Sequence, residues 1–93
     1  MIYLKYSRPG IEETDLATDA DLVTIGTWPE NAVYITGNGI QIYHAQIDAK
    51  TLCITELDAP TPAGLKINGV ETTSATLENG DTITIGPWTM LFY

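Results

Sequence analysis

Short apolar segments with polar residues at alternate positions, each ended by turn-forming residues, constrain this chain more than any other feature. The stretch from Val23 to Ile47 holds three of them. The first ends at Gly26, the second ends at Gly37, and the third begins at Ala45. Alternation with a period of two residues places apolar side chains on one face of a strand, whereas an amphipathic helix needs a period of 3.6 residues. The stretch therefore predicts strand, loop, strand, loop and strand.

The alternation changes phase before the third segment. Ile40 and Ile42 occupy even positions, whereas Ala45 and Ile47 occupy odd ones. A strand with one buried face does not continue through such a change without a bulge or a loop. We therefore expect a loop that ends near His44.

The remainder of the chain repeats this pattern of short strands and turns. A strand over residues 1–6 turns at residues 8–10 into a weaker strand over residues 11–16. A tight turn at Ala49–Lys50 and a type I′ hairpin at Asn68–Gly69 connect further strands. Closely spaced short strands with almost no helical periodicity predict an all-β fold, an antiparallel β-sandwich of many short strands.

Composition limits the classes of partner. Ninety-three residues make a single domain, 1–93, either a whole protein or a piece cut from a larger one. Four basic residues against twelve acidic ones give a formal net charge of −8. Nucleic acids and anionic membrane surfaces are both bound by clusters of Lys and Arg, so neither is expected as a partner. The acidity also fits a role in solubility alone.

Few features of the sequence suggest chemistry. Cys53 is the only cysteine, so an internal disulfide is impossible, and we expect a buried structural thiol. No Cys/His cluster suggests a metal, no cofactor is expected, and no nucleophile or carboxylate is placed by motif to work with His44. The chain is therefore not expected to be an enzyme. The longest apolar runs are far shorter than the roughly 20 residues of a membrane helix, and no signal-peptide pattern occurs, so a cytoplasmic location is expected.

Five short motifs occur in a fixed order along the chain. They are Ile25-Gly26, Asn31 at the start of a strand, His44-Ala45, Asn68-Gly69, and the sequence LENGDTITIG from Leu77 to Gly86. Together they resemble the forkhead-associated (FHA) domain, a phosphothreonine-recognition β-sandwich of the FHA/SMAD-like type. The resemblance covers about the whole chain, and it implies structural roles for Gly26, His44, Asn68 and Gly69. It also implies that the ring of His44 braces the loop after Gly39 through a hydrogen bond.

The phosphate-binding positions of the family differ in this chain. In the family, an Arg after Ile-Gly, a Ser before the His and a neighbouring basic residue hold the phosphate, and a later Asn holds the peptide backbone. These positions fall on Thr27, Gln41, Ile42 and Ala63. Each charge-assisted hydrogen bond contributes on the order of 1.5–3 kcal/mol. Loss of two cations and a hydroxyl would abolish a micromolar interaction of about −8 kcal/mol.

Apolar and aromatic residues stand near these positions instead. Trp28, Ile42 and Tyr43 lie on the apical loops where the family contacts its ligands, and they would either form a docking patch or fold back onto the edge of the sandwich. The set expected to contact a partner is Thr27, Trp28, Gln41, Ile42, Tyr43 and Ala63.

The leading hypothesis is a protein–protein interaction module that binds a protein partner through its apical loops without requiring phosphothreonine. Members of the family with eroded sites occur in the cytoplasmic parts of bacterial secretion machines, where they serve assembly. Two alternatives stay open, a phosphothreonine-peptide-binding domain with an atypical pocket and a structural spacer in a larger protein.

Overall fold

Eleven strands and no helix make up the chain in the computed structural model, which describes every residue from Met1 to Tyr93. The strands are β1 (Ile2–Arg8), β2 (Ile11–Thr18), β3 (Leu22–Gly26), β4 (Val33–Tyr34), β5 (Ala45–Asp48), β6 (Cys53–Glu56), β7 (Lys66–Ile67), β8 (Val70–Glu71), β9 (Ser74–Thr76), β10 (Thr82–Ile85) and β11 (Trp88–Phe92). They form a six-stranded sheet in the order β2-β1-β11-β10-β7-β8 and a five-stranded sheet in the order β4-β3-β5-β6-β9. The predicted all-β sandwich is confirmed. No helix is present that would cross a bilayer.

One strand pair departs from the antiparallel prediction. β3 and β4 run parallel, with Val33 beside Ile25 and Tyr34 beside Gly26, while the other pairs are antiparallel. The loop between these two strands doubles back before β4 begins, so the chain leaves in the same direction in which it arrived. Alternation shows which face of a strand is buried, but it carries no information on the direction of the neighbouring strand.

The core follows the alternation of the sequence. Eighteen buried apolar side chains form one cluster between the two sheets. Val23 and Ile25 of β3 face Ala45 and Ile47 of β5 in register across the five-stranded sheet. β5 begins at Ala45, so the loop predicted to end near His44 does end there.

β2 is an edge strand that contributes little to this core. Its residues are mostly exposed, and they include Glu12, Glu13 and Asp15. Charged side chains on an edge strand prevent pairing with the edge of another sheet. The weakly patterned strand expected after the first turn is therefore present, and it extends to Thr18.

The hairpin at Asn68–Gly69 joins β7 to β8. The two residues have φ values of 52° and 82°, in the left-handed region that a type I′ turn requires. The Asn68 side chain also donates to Asp81 Oδ1 at 3.0 Å and accepts from the Thr82 amide at 3.0 Å. The hydrogen bond from Asn68, followed by that from the Glu78 amide, lowers the pKa of the Asp81 carboxyl below its usual value.

Two local predictions in the hairpin that joins β5 to β6 need correction. The turn predicted at Ala49–Lys50 is longer, because Asp48 Oδ1 accepts from the Lys50 amide at 2.8 Å and β6 begins only at Cys53. Cys53 is also half-buried rather than buried. Ile54 points into the core, so the side chain of Cys53 points out of it, and its Sγ lies 3.3 Å from Ser74 Oγ.

Candidate functional site

Three loops meet at one end of the sandwich. We call them loop A (27–32), loop B (35–44) and loop C (57–65), and together the apical loops. They share one end because Ile25, Ala45 and Glu56 are neighbours in register across β3, β5 and β6. The loops that follow or precede these three residues therefore emerge side by side.

Gly26 brings loop A and loop B into backbone contact. A side chain at this position would place its Cβ 2.1 Å from Ile42 O and 2.8 Å from Gln41 O, which no packing allows. Immediately after Gly26, the Thr27 amide donates to Gln41 O at 3.0 Å and the Trp28 amide donates to Ile42 O at 3.4 Å. Glycine is required at position 26 because the backbone of loop B occupies the space that a side chain would need.

Asn31 fastens the far end of loop A to the same segment. Its side-chain amide donates to Ile42 O at 2.8 Å, and its backbone amide donates to Trp28 O at 3.0 Å. The side chain is buried, and its Oδ1 has no hydrogen-bond partner. The sequence motif indicated only that Asn31 begins a strand, and nothing in the sequence predicted its hydrogen bond to Ile42 of loop B.

His44 joins loop B to loop C. The ring is fully buried, and its Nδ1 accepts from the Gln41 amide at 3.1 Å. Because Nδ1 accepts, the proton of the neutral ring lies on Nε2, which donates to Gly64 O at 2.8 Å. One imidazole therefore connects two loops separated by twenty residues in sequence.

A polar network extends from the histidine into loop C. Thr61 Oγ1 lies 3.2 Å from His44 Nε2, accepts from the Gly64 amide at 3.0 Å and donates to Glu56 Oε2. The same Glu56 oxygen accepts from the Thr61 amide at 2.9 Å. A buried carboxylate is tolerated because these bonds replace water. Loop C is thereby held from inside the fold.

Trp28 of loop A and Tyr43 of loop B form an exposed aromatic pair. The rings of Trp28 and Tyr43 meet edge to face with their centroids 5.5 Å apart. Trp28 remains 40% exposed and Tyr43 remains 45% exposed, and the neighbouring Ile42 is 60% exposed. The two rings thus pack on each other and leave a large apolar surface open to solvent.

A cleft of about 260 Å³ opens beside this pair. It is lined by Gln41, Ile42, Tyr43 and Asp58. Three of these residues belong to the set expected from the sequence, and the structure brings them together. Asp58, which was not expected, is the second residue of loop C and has a φ of 55°, and no sequence pattern indicated that it would line a cleft with residues of loop B.

The other expected contact residues have different surroundings. Trp28 contacts the cleft through Tyr43. Thr27 is half-buried, and its backbone is bonded to loop B. Ala63 is also half-buried, packs against the core and donates its amide to Gly39 O at 3.2 Å. Neither Thr27 nor Ala63 lines the cleft.

A second and larger cleft, of about 390 Å³, opens between the β1–β2 turn, β4, the start of loop B and β11, and we call it the side cleft. It is lined by Arg8, Pro9, Ile11, Tyr34, Thr36 and Trp88. The Arg8 guanidinium lies 5.8 Å from the centre of the Trp88 ring and donates to Thr36 O at 3.1 Å. Trp88 Nε1 donates to the same oxygen at 2.8 Å. Sequence reasoning missed this cleft, because its six residues come from three distant parts of the chain.

The side chains that bring chemistry to the apical loops are few. No group of three His, Cys, Asp or Glu side chains is placed to hold a metal ion. The one histidine is buried, and its ring contacts are with Gln41, Gly64 and Thr61. The molecule is thus a two-sheet sandwich whose apical loops are fixed by contacts of a glycine, an asparagine and a histidine.

The family model for the FHA domain matches residues 23–86, which is more than half of the chain. The chain therefore belongs to the FHA family, whose members are protein-interaction modules. No curated protein matches it by sequence.

Solved structures share the fold at low sequence identity. The FHA domain of the CT664 protein from Chlamydia trachomatis superposes with a TM-score of 0.81 at 18% identity, over 98% of this chain and 94% of that one. The FhaA FHA domain, solved in complex with the intracellular domain of Rv3910, has a TM-score of 0.78 at 17% identity, with both chains fully covered. The yeast Dun1 FHA domain, solved with a doubly phosphorylated peptide, has a TM-score of 0.73 at 24% identity, over 98% and 72% of the two chains.

Proposed function

We propose that this FHA domain binds a protein partner through its apical loops without requiring phosphothreonine. The observation that carries the proposal is the chemistry of the cleft between loops B and C. Its lining contains an amide, an isoleucine, a tyrosine and an aspartate, and no basic side chain. A phosphothreonine carries a charge of about −1.5 to −2 and needs cationic donors, so this cleft does not suit it.

The exposed apolar residues supply the attractive part of such an interface. Trp28, Tyr43 and Ile42 present aromatic and aliphatic surface on a support that the Gly26 and His44 contacts hold in place. Aromatic anchors on a rigid support contribute most of the binding energy in many protein interfaces. Solved relatives such as the FhaA FHA domain, found in complex with an intracellular protein domain, are consistent with a protein partner.

A direct test measures the preference for phosphate. Wild-type protein is expected to bind a degenerate phosphothreonine peptide mixture no better than its unphosphorylated twin, within about twofold. A variant with Thr27→Arg, Gln41→Ser, Ile42→Arg and Ala63→Asn restores two cations, a hydroxyl and a backbone clamp. We expect a preference of roughly tenfold or more for that variant, about 1.4 kcal/mol, by calorimetric titration.

One outcome of the titration favours the alternative of a phosphothreonine-binding domain with an atypical pocket. The side cleft contains Arg8, a cation with no carboxylate within salt-bridge distance. A tenfold preference of wild type for the phosphorylated mixture would overturn the proposal. Loss of that preference in Arg8→Gln would place the phosphate in the side cleft.

Capture of a partner from the source cell distinguishes the remaining alternative, a structural spacer, from the proposed function. Trp28→Ala and Ile42→Asp are expected to lose a specific partner that wild type retains, because both remove exposed apolar surface from the apical loops. Val70→Ala is the matched control, since Val70 is 68% exposed on β8, outside these loops. Equal capture by all four proteins, or no partner for any of them, supports the spacer instead.

A further inference from the structure

The apical loops have an unusual charge composition. Loops A, B and C contain Glu30 and Asp58 and no lysine or arginine. Their only other ionisable side chains are Tyr43 and His44, of which the imidazole is buried. The chain as a whole carries a formal charge of −8. The charged side chains that these loops themselves present to a partner are therefore both carboxylates, and the one cation bonded to a loop is Arg8, which donates to Thr36 O of loop B at 3.1 Å.

Asp58 is the one charged group in the cleft between loops B and C. Its carboxylate is exposed and forms no salt bridge, since the single ion pair of the molecule joins the amino terminus to Asp19. The other carboxylate in this part of the chain, Glu56, is buried and satisfied by Thr61. Asp58 thus remains available to a ligand.

The rest of the lining suits a long basic side chain. Tyr43 provides an aromatic ring for a cation, and Ile42 provides apolar surface for an aliphatic stem. Lysine and arginine bury their stems along apolar surface and keep the charged head free to pair. Gln41, which also lines the cleft, has a side-chain carbonyl that accepts hydrogen bonds. An aromatic, an aliphatic and an acidic residue therefore line one opening of about 260 Å³.

We propose that the partner of the apical loops inserts an arginine or lysine side chain into this cleft, between Tyr43 and Asp58. This inference rests on the proposed function and names the chemistry of its partner. The cleft then selects a positively charged side chain, whereas the phosphate-binding members of the family bind the negatively charged phosphothreonine. Asp58 discriminates between partners in two ways, because it attracts a cation and it repels a phosphate or a carboxylate.

The test uses immobilised degenerate peptide libraries with one fixed central residue. The central residues are arginine, lysine, leucine, glutamate and phosphothreonine, and the retained amount of the labelled domain is measured. Wild type is expected to be retained about tenfold more on arginine and lysine libraries than on the glutamate library. Asp58→Asn should reduce this ratio to about twofold. Asparagine tolerates the left-handed φ of 55°, so the variant keeps the loop conformation.

The matched control is Glu30→Gln, which removes the same charge from loop A outside the cleft. If the preference for basic libraries arose only from the overall negative field, Glu30→Gln and Asp58→Asn would weaken it equally, and the inference would be overturned. Asp58→Lys is expected to reverse the preference in favour of the glutamate library. Amide chemical shifts with an arginine peptide selected from the library should change mainly in Gln41–Tyr43 and Asp58.

Failure of the inference is distinguishable from failure of the proposed function. Equal retention on leucine and arginine libraries, with shifts in the apical loops, overturns the inference and leaves the proposed function intact. Preferred retention on the phosphothreonine library overturns both. Equal retention on all libraries, or on none, overturns the inference alone, because capture with Trp28→Ala tests the proposed function separately.

Discussion

Gly26→Ala is expected to destabilise the domain by about 4 kcal/mol or more, which is a large part of the 5–15 kcal/mol that holds a typical domain folded. The new Cβ would lie 2.1 Å from Ile42 O, 2.7 Å from Ile42 C and 2.8 Å from Gln41 O. All three atoms are backbone, so no rotamer change relieves the overlap. Overpacking of a rigid site costs roughly 1–3 kcal/mol or more by itself.

The rest of the expected loss of stability comes from broken hydrogen bonds. Moving the backbone of loop B away from Gly26 breaks its bonds with the Thr27 and Trp28 amides and pulls Ile42 O away from Asn31. Each such bond contributes on the order of 1 kcal/mol, and buried groups left without partners cost more. Urea unfolding followed by far-ultraviolet circular dichroism measures the sum.

Gly10→Asn is the control for this substitution. A Cβ at Gly10 meets nothing within 4 Å, and asparagine tolerates its φ of +84° better than other residues. We expect a change of at most about 1 kcal/mol. A Gly26→Ala variant as stable as Gly10→Asn would show that loop B yields easily, and that the apical loops are not held together at Gly26.

The sequence predicted the sandwich well because the relevant information is local. Alternation identifies inward-facing residues such as Val23, Ile25 and Ile47 from their immediate neighbours. The hairpin at Asn68–Gly69 is specified by two adjacent residues that accept positive φ. Such features need no knowledge of distant parts of the chain. The parallel pair of β3 and β4 was missed because strand direction depends on the path of loop A.

The candidate site was harder to predict because it consists of contacts between loops. The motif that contains His44 suggested a ring hydrogen bond within loop B, while the bond to Gly64 depends on where loop C folds back. Asp58 gave no signal, since a single aspartate in a proline-containing loop is typical of any surface turn. Arg8 was likewise unremarkable in sequence, although it lies over Trp88 and binds Thr36 O.

His44→Ala is the second substitution with a large expected effect, about 3 kcal/mol of destabilisation. Removal of the fully buried ring leaves a cavity between loops B and C, and the loss of stability caused by a cavity rises with its volume. The Gln41 amide loses its acceptor and Gly64 O loses its donor, and each unsatisfied buried group costs on the order of 1–3 kcal/mol where water does not reach it.

Two conservative variants separate the contributions of the two loops. The side-chain carbonyl of His44→Asn can take the place of Nδ1 and accept from the Gln41 amide, whereas the side-chain amide of His44→Gln can take the place of Nε2 and donate to Gly64 O. By hydrogen exchange, His44→Asn is expected to keep the Gln41 amide protected while the Ala63 and Gly64 amides exchange faster. His44→Gln is expected to show the opposite pattern. If all three variants unfold within about 0.5 kcal/mol of wild type, with unchanged exchange in both loops, then the imidazole does not hold the apical loops together. Their rigidity would then depend on the Gly26 contacts and the Glu56–Thr61 hydrogen bonds.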